Sequence, residues 1–274
     1  MTSIAIDLGG TNLRVARIED GQIASQVSES CKAEGTKEEV VEHICSLIER
    51  VKTSECSRIG MAVPSVVDYE KGIVYNVQNI PSWDEVHLKE ICEKRFGIST
   101  RIDNDVNCFV WGEKTLGDGK PYQSIVGITL GTGVGAGIVI DDKLHRGANT
   151  GAGEIGCLPY LDSDYEHYTS SQFFKLHDTT GADEARKMAE GDEKAKALWE
   201  EFGFHLGKLL QVILFTYDPE CIIIGGGISA SAPLFEQAMI RSMHEGFPYP
   251  HEAENVKIVF SKLKDCNLLG ASQL

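Results

Sequence analysis

One design occurs twice in this chain, and that repetition limits the folds open to it more than any single motif does. Ile4-Ala5-Ile6-Asp7-Leu8 is an apolar run ending beside a carboxylate, followed by the turn Gly9-Gly10-Thr11-Asn12 and a second alternating run through Leu13, Val15 and Ile18. The stretch from Ile125 to Ile140 has the same plan, with Gly131-Thr132-Gly133 between two apolar runs. Setting Leu8 against Leu130 aligns Gly9 with Gly131, Ile18 with Ile140, and Glu19-Asp20 with Asp141-Asp142. Each copy reads as strand, tight glycine turn, strand, because glycine enters positive φ without a steric cost. An internal repeat of this kind sets architecture before any local reading does.

The turns also carry chemistry. Glycines leave backbone N–H groups open to an anion, Thr11 and Asn12 add side-chain donors, and Asp7 can hold a hydrated Mg²⁺ beside them. Two such hairpins suit two similar domains gripping one nucleotide. A plain hairpin is the bland alternative for either turn alone.

The 274 residues allow two ordinary domains, each able to bury its own core. A formal net charge of −15 argues against nucleic acid or an anionic membrane as partner, since both want clustered Lys and Arg. No apolar run approaches the ~20 residues of a membrane span. The first strand begins at about Ser3 with no basic-apolar leader before it, so no export signal is expected. The 8 cysteines are scattered without a C-x-x-C pair, a pattern of reduced thiols in a cytoplasmic protein. The histidines show no ligand spacing.

Along the chain, Thr36 and Glu39 make a capping box for a helix carrying Val40, Val41, Ile44, Leu47, Ile48 and Val51. A strand over 59–63 breaks at Pro64-Ser65, and Tyr69 to Gly72 is a turn. The segment holding Asn79 is an irregular loop, and Glu85 to Phe96 reads as a helix stopped by Gly97. Thr100 to Asp103 is a strand running into Asn104-Asp105 and a helix. Asp105 at that junction either caps the helix, worth about 1 kcal/mol, or does chemistry. Gly117 to Pro121 reads as an interdomain linker. A glycine-rich stretch over 147–156 contains Glu154, and a long polar loop runs to Glu166. Helices over 182–190 and 193–217, a strand over 221–224 entering Gly225-Gly226-Gly227, a helix over 232–245, a strand over 256–260 and a terminal helix over 267–274 complete the order. This is α/β with mixed sheets.

Several familiar sites are excluded. Gly131-x-Gly133-x-x-Ala136 fits a dinucleotide fingerprint, but a strand follows it where the fingerprint requires a helix. There is no G-x-x-x-x-G-K-[ST] loop and no G-x-S-x-G elbow.

The motifs together resemble the ROK family of sugar kinases and repressors within the actin-like ATPase superfamily. Asp7-Leu8-Gly9-Gly10-Thr11-Asn12-Leu13-Arg14 is similar to that family's D-x-G-G-T-x-x-R opening. The likeness continues through Asn104-Asp105-Val106-Asn107, Leu130 to Gly135, Gly147 to Gly156, Ile223 to Gly227 and Leu269-Gly270-Ala271, in the family's order over nearly the whole chain. It implies two duplicated actin-like (ribonuclease H-like) lobes with a cleft between them. Residues 1–117 would form a small lobe with the sugar and base residues, joined by the terminal helix 267–274, and residues 118–266 a large lobe with the nucleotide site.

Carried over residue by residue, the resemblance makes Asp105 the catalytic base. Asn104, Glu154 and Glu166 would hold sugar hydroxyls, with Ser65, Asn79 and Cys157 as further substrate contacts. Asp7, Gly9, Gly10, Thr11, Asn12, Gly131, Thr132 and Gly133 would hold the phosphates of ATP and, through Asp7 and water, Mg²⁺. Gly225, Gly226 and Gly227 would lie near the adenosine. Two departures stand out. Cys157 occupies the place of a histidine that in the family touches sugar and binds zinc, and the 158–165 segment lacks the family's cysteine loop, so no structural zinc is expected. Ser65 stands where glycine is commoner.

The resulting expectation is a cytoplasmic, homodimeric, ATP-dependent kinase acting on the 6-hydroxyl of a hexose, glucokinase-like. N-acetylmannosamine, N-acetylglucosamine or fructose are the alternative acceptors. A non-catalytic sugar-sensing protein ranks behind these, because no helix-turn-helix precedes the first strand and the charge is wrong for DNA.

Overall fold

The computed structural model describes residues 2–9 and 11–274. By its internal contacts the chain divides into two units. The first takes 1–120, 144–152 and 263–274, and the second 121–143 and 153–262. The segment Leu144–Ala152 therefore packs with the first unit, although the sequence reading set it in the second lobe.

In the first unit, β1 (Thr2–Leu8), β2 (Asn12–Glu19), β3 (Gln22–Ser30), α1 (Lys37–Val51) and β4 (Arg58–Val63) are followed by three short strands, β5 (Val66–Asp68), β6 (Ile73–Tyr75) and β7 (Glu85–Val86). Then come α2 (Leu88–Phe96), β8 (Ser99–Asn104) and α3 (Asp105–Thr115). The second unit has β9 (Ile125–Leu130), β10 (Val134–Ile140), β11 (Lys143–Leu144, whose second residue counts with the first unit), β12 (Pro159–Tyr160), β13 (Ser163–Asp164), α4 (Tyr165–Thr169), α5 (Ser171–Leu176), α6 (Gly181–Ala189) and α7 (Glu193–Tyr217). It closes with β14 (Cys221–Gly225), α8 (Ala232–His244), α9 (Pro250–Asn255) and β15 (Lys257–Phe260), and α10 (Cys266–Ala271) returns to the first unit.

The duplication is explicit in the sheets. One runs β3-β2-β1-β4-β8 and the other β11-β10-β9-β14-β15, with an antiparallel hairpin followed by parallel neighbours in both. Both faces of the first sheet are covered, and its residues divide accordingly. Ile4, Ile6 and Leu8 point into a core shared with Val40, Ile44, Leu47 and Ile48 of α1. The small Ala5, Ala16 and Ala62 face the other way, against Cys108 of α3 and Leu268 and Ala271 of α10. Period-two alternation of large and small residues lets one face take a thick helix layer and the other a close backbone approach.

Local signals place most ends. Thr36 and Glu39 form the reciprocal capping box, the Thr36 N–H donating to Glu39 Oε2 at 2.8 Å and the Glu39 N–H to Thr36 Oγ1 at 3.3 Å. Three expectations are corrected. The helix expected from Glu85 starts at Leu88, because Glu85–Val86 pairs with β6 as an edge strand. The long polar loop before Glu166 is ordered, with a 3₁₀ turn at Ile155–Cys157, the β12–β13 hairpin and the start of α4. Residues 250–255 form a helix that begins with Pro250 and that the sequence pattern did not suggest. Among the described residues no helix is long and apolar enough to cross a membrane.

Candidate active site

In the first unit the parallel register puts Asp7, Ala62 and Asp103 in one row across β1, β4 and β8, at the carboxyl ends of the strands. Open α/β sheets bind ligands at this end. Asn104 closes β8 and caps α3. Its Oδ1 accepts from the N–H groups of Val106 at 2.9 Å and Asn107 at 3.4 Å, and its Nδ2 donates to the Ser65 carbonyl at 3.3 Å. The capping position thus belongs to Asn104, and Asp105 is the first residue of the helix, its Oδ1 also accepting from Val106 N–H at 2.9 Å. A carboxylate there is favoured by the helix dipole. Ser65 Oγ donates to the Tyr75 carbonyl, so Ser65, Asn104 and Asp105 are brought together. Asn79 is exposed in the loop after β6, which is shaped by main-chain bonds such as Val77 N–H to the Trp83 carbonyl at 3.1 Å.

The first glycine turn is closed by Gly9 N–H donating to the Asn12 carbonyl at 2.9 Å, so that N–H is spent inside the turn. Gly10 lies outside the described residues. Thr11 and Asn12 are exposed, and a pocket of about 460 Å³ is lined by Asp7, Gly9, Thr11, Asn12, Arg14 and Ser28. Arg14, directly opposite Asp7 in the β1–β2 register, donates to Asp7 Oδ2 through Nε (3.1 Å) and Nη2, and through Nη1 to Asp265 Oδ1 at 2.6 Å. The sequence reading gave Arg14 no role, although its cross-strand position relative to Asp7 follows from the tight turn.

The second turn is built alike. Gly131 N–H donates to the Gly133 carbonyl at 3.0 Å, and the Gly131 carbonyl accepts from Ser171 N–H at 2.8 Å. Thr132 is exposed. Glu166, expected on the sugar side, lies against this turn. Its Oε2 accepts from Val134 N–H at 3.1 Å and its Oε1 from Gln172 Nε2 at 2.8 Å. A Cβ on Gly133 would lie 2.3 Å from Glu166 Oε2, so the bare glycine is what admits the carboxylate. Glu154 follows Gly153, which has φ +100 and whose missing Cβ would fall 1.8 Å from the Ala136 carbonyl oxygen. Partial burial and, after it, the Glu166 charge hold the Glu154 carboxyl above the usual carboxylate range. Gly225 pairs with Thr129 beside the turn, and Gly226 and Gly227 are exposed just beyond β14.

Cys157 is exposed at the end of the 3₁₀ turn. Partial burial of its sulfur and then Glu154, Glu166 and Asp164 push the thiol up. Its alkylation by iodoacetamide at neutral pH is therefore expected to be slower than that of a free thiol, although it is exposed, and to speed up through alkaline pH as thiolate forms. Mass-spectrometric rates for this peptide decide the point, and a rate above that of free cysteine at pH 7 would contradict it.

The 158–170 segment is seated by aromatic packing that the sequence reading missed. Tyr160 stacks on Tyr165 with centroids 4.2 Å apart and shares a 3.0 Å hydrogen bond between its hydroxyl and His205 Nδ1 of α7. Tyr168 meets the Tyr160 ring edge-on at 5.4 Å. Burial keeps His205 neutral to lower pH than usual and pushes the Tyr160 hydroxyl up to about 12. Among the described residues no three His, Cys, Asp or Glu side chains group as metal ligands.

Two α/β units with one strand order, each carrying a glycine turn between its first two strands, define the actin-like class of two-lobed proteins. The ROK family model matches residues 3–274, and the chain belongs to the ROK family. It is 30% identical to a glucokinase of Thermotoga maritima, over 99% of this chain and 96% of that one. It is 28% identical to an N-acetyl-D-glucosamine kinase of Pasteurella multocida (84% and 85% covered) and to a xylose repressor of Bacillus spizizenii (90% and 68% covered). Among solved structures, a putative sugar kinase from Cytophaga hutchinsonii superposes with TM-score 0.89 at 25% identity, covering 100% of this chain and 99% of that one. A ROK glucokinase from Streptomyces griseus in complex with glucose and AMPPNP gives 0.83 at 24%, covering 100% and 98%.

Proposed function

We propose that this chain is an ATP-dependent sugar kinase that transfers the γ-phosphoryl group to the 6-hydroxyl of a hexose, as a glucokinase does. The observation that carries the reading is the β8–α3 corner, where Asn104 does the capping and Asp105 stands next to it at the carboxyl end of the sheet.

Phosphoryl transfer asks a protein to orient the acceptor and to meet charge on the phosphates, with little covalent work. Asp105 would orient the acceptor hydroxyl and take its proton as the O–P bond forms. Asn104, Glu154 and Glu166 would hold the other hydroxyls, with Ser65, Asn79 and Cys157 at the edges. Glu154, its carboxyl raised by partial burial and then by the Glu166 charge, would accept from a sugar hydroxyl. The turns at Gly9–Asn12 and Gly131–Gly133 would meet the phosphates of ATP. With the Gly9 and Gly131 N–H groups spent inside their turns, Thr11, Asn12, Thr132 and Gly133 would supply donors to that task among the described residues. The Gly225–Gly227 bend would flank the adenosine.

Asp7 suits a hydrated Mg²⁺. Arg14 donates through Nε and Nη2 to Oδ2 of Asp7, and a pocket with hydroxyl and amide neighbours lies beside it. Bound with ATP, that ion would neutralise phosphate oxygens. The scatter of the 8 cysteines without a C-x-x-C pair supports a reducing cytoplasm. A homodimer remains part of the proposal.

Cys157 favours a second reading, an N-acylhexosamine kinase. A thiol is smaller and a weaker donor than an imidazole, so a sugar held by Glu154 would have room for a larger substituent beside Cys157. A missing contact of this kind is worth about 1–3 kcal/mol. In a coupled ADP-release assay, kcat/KM for glucose, mannose, fructose, N-acetylglucosamine and N-acetylmannosamine should therefore differ by roughly tens-fold among the accepted sugars. Discrimination beyond about 10⁴ between epimers or N-acyl variants would show that other residues fill the role of Cys157. Sugar binding without sugar-dependent ADP release in the presence of Mg²⁺ would replace the kinase reading with a sensing one.

A further inference from the structure

Arg146 lies in the Leu144–Ala152 segment of the first unit and reaches two other parts of that unit. Its Nε donates to Asp103 Oδ2 at 2.6 Å, and its guanidinium carbon sits 3.6 Å from the centroid of the Tyr69 ring. Asp103 is fully buried, and its other oxygen accepts from Asn104 N–H at 2.9 Å and Asn107 Nδ2 at 2.8 Å. Tyr69 stands in the turn between β5 and β6, and its hydroxyl accepts from Arg101 at 3.2 Å. The same segment is fastened again where Thr150 Oγ1 donates to the Val67 carbonyl. A cleft of about 720 Å³ lined by Val67, Tyr69, Tyr75, Arg146, Asn149 and Thr150 runs along this contact.

A buried carboxylate needs its charge met. Burial pushes the Asp103 carboxyl up, while Arg146 and then the Asn107 amide act to hold it down. As a carboxylate, Asp103 makes charge-assisted bonds to the backbone of Asn104 and the side chain of Asn107, which bracket Asp105. As a neutral acid it would grip both more weakly. Arginine is suited to the position because a planar guanidinium can stack on Tyr69 while donating in its own plane to Asp103. A lysine has the charge without the plane.

We propose that Arg146 is a positioning residue for the acceptor side of the site, setting the Asn104–Asp105 corner through Asp103 and the β5–β6 hairpin through Tyr69. It acts on the use of sugar and leaves the use of ATP alone. The proposal rests on the reading of Asp105 as the base, and it adds a residue that touches neither substrate.

The test compares the parent with Arg146→Gln, Arg146→Lys and the double variant Asp103→Asn/Arg146→Gln. Arg146→Gln should lose about 100-fold in kcat/KM for the preferred sugar, as expected when reacting groups are misplaced, with the KM for ATP within about twofold. Arg146→Lys should fall between it and the parent. The double variant no longer buries an unpaired charge, so its thermal stability should return while kcat/KM for sugar stays at least about tenfold down. If stability and sugar use return together, the pair is only a structural ion pair and the proposal fails. It fails too if Arg146→Gln stays within about twofold of the parent. A parent with no sugar turnover would sink the kinase reading instead, and amide hydrogen exchange then tests the positioning by Arg146. The N–H groups of Asn104 to Asn107 should exchange faster in Arg146→Gln, and unchanged exchange there overturns the proposal.

Discussion

Asp105→Asn is expected to lower kcat by about 10²–10⁴-fold, the usual worth of a positioned proton acceptor. The amide has the shape of the carboxylate and cannot take the proton. Binding of sugar and of ATP should persist. Stability should also persist, because the capping position of α3 is held by Asn104. The neighbouring variant supplies the contrast. Asn104→Ala removes the cap and should cost about 1 kcal/mol in unfolding free energy. Steady-state kinetics with calorimetry for binding separate the two. If Asp105→Asn retained half of the parent's kcat, Asp105 would be a helix-terminal carboxylate and nothing more.

Gly270→Ala is expected to destabilise the first unit by at least about 3 kcal/mol. A Cβ at Gly270 would lie 1.8 Å from the Cys108 carbonyl oxygen of α3, and one at Gly60 of β4 would lie 1.8 Å from the Ala271 carbonyl oxygen. Both obstacles are backbone, so neither can rotate away. At about 2–4 °C per kcal/mol, the midpoint of thermal unfolding should fall by about 6–12 °C. The effect should reach the site, since α3 begins at Asp105 and is pushed along its length by a displaced α10. Trp111, whose Nε1 donates to the Gln273 carbonyl at 3.1 Å, offers a fluorescence report of the docked terminus. A midpoint within about 2 °C of the parent would mean that α10 does not pack this closely.

Much of the fold was legible because its signals are local. Each glycine hairpin is specified by residues within one turn of each other, and the observed Leu8–Leu13 and Leu130–Val134 pairings close the two turns the sequence marked. The capping box at Thr36 and Glu39 needs only three residues of separation. The two sheets share one strand order, and that kinship is visible in the alignment of Leu8 with Leu130 because both copies keep the same turn chemistry. Short or irregular pieces escaped this reading. Glu85–Val86 continues smoothly into a helical pattern, and only a partner strand at Val74–Tyr75 makes it extended. The 158–170 segment looks polar in sequence, since tyrosines interleaved with acids give no clear period. Its order comes from Tyr160 stacking on Tyr165 and bonding to His205, 45 positions away.

The sequence alone determined the class of the protein: where the two glycine turns lie, which carboxylates stand at strand ends, and that one unit repeats the other. What the tertiary structure decided is which groups meet. Asp103 and Arg146 are 43 positions apart, and no local rule predicts that a buried carboxylate beside the candidate base is held from the 144–152 segment. Arg14 and Asp265 are 251 positions apart, and Glu166 finds the Gly133–Val134 turn over 32. The physical reason is one of range. Propensity, capping and turn geometry act within a few residues, whereas desolvation of a charge or a carbonyl pressed against a glycine takes its value only once distant segments have packed.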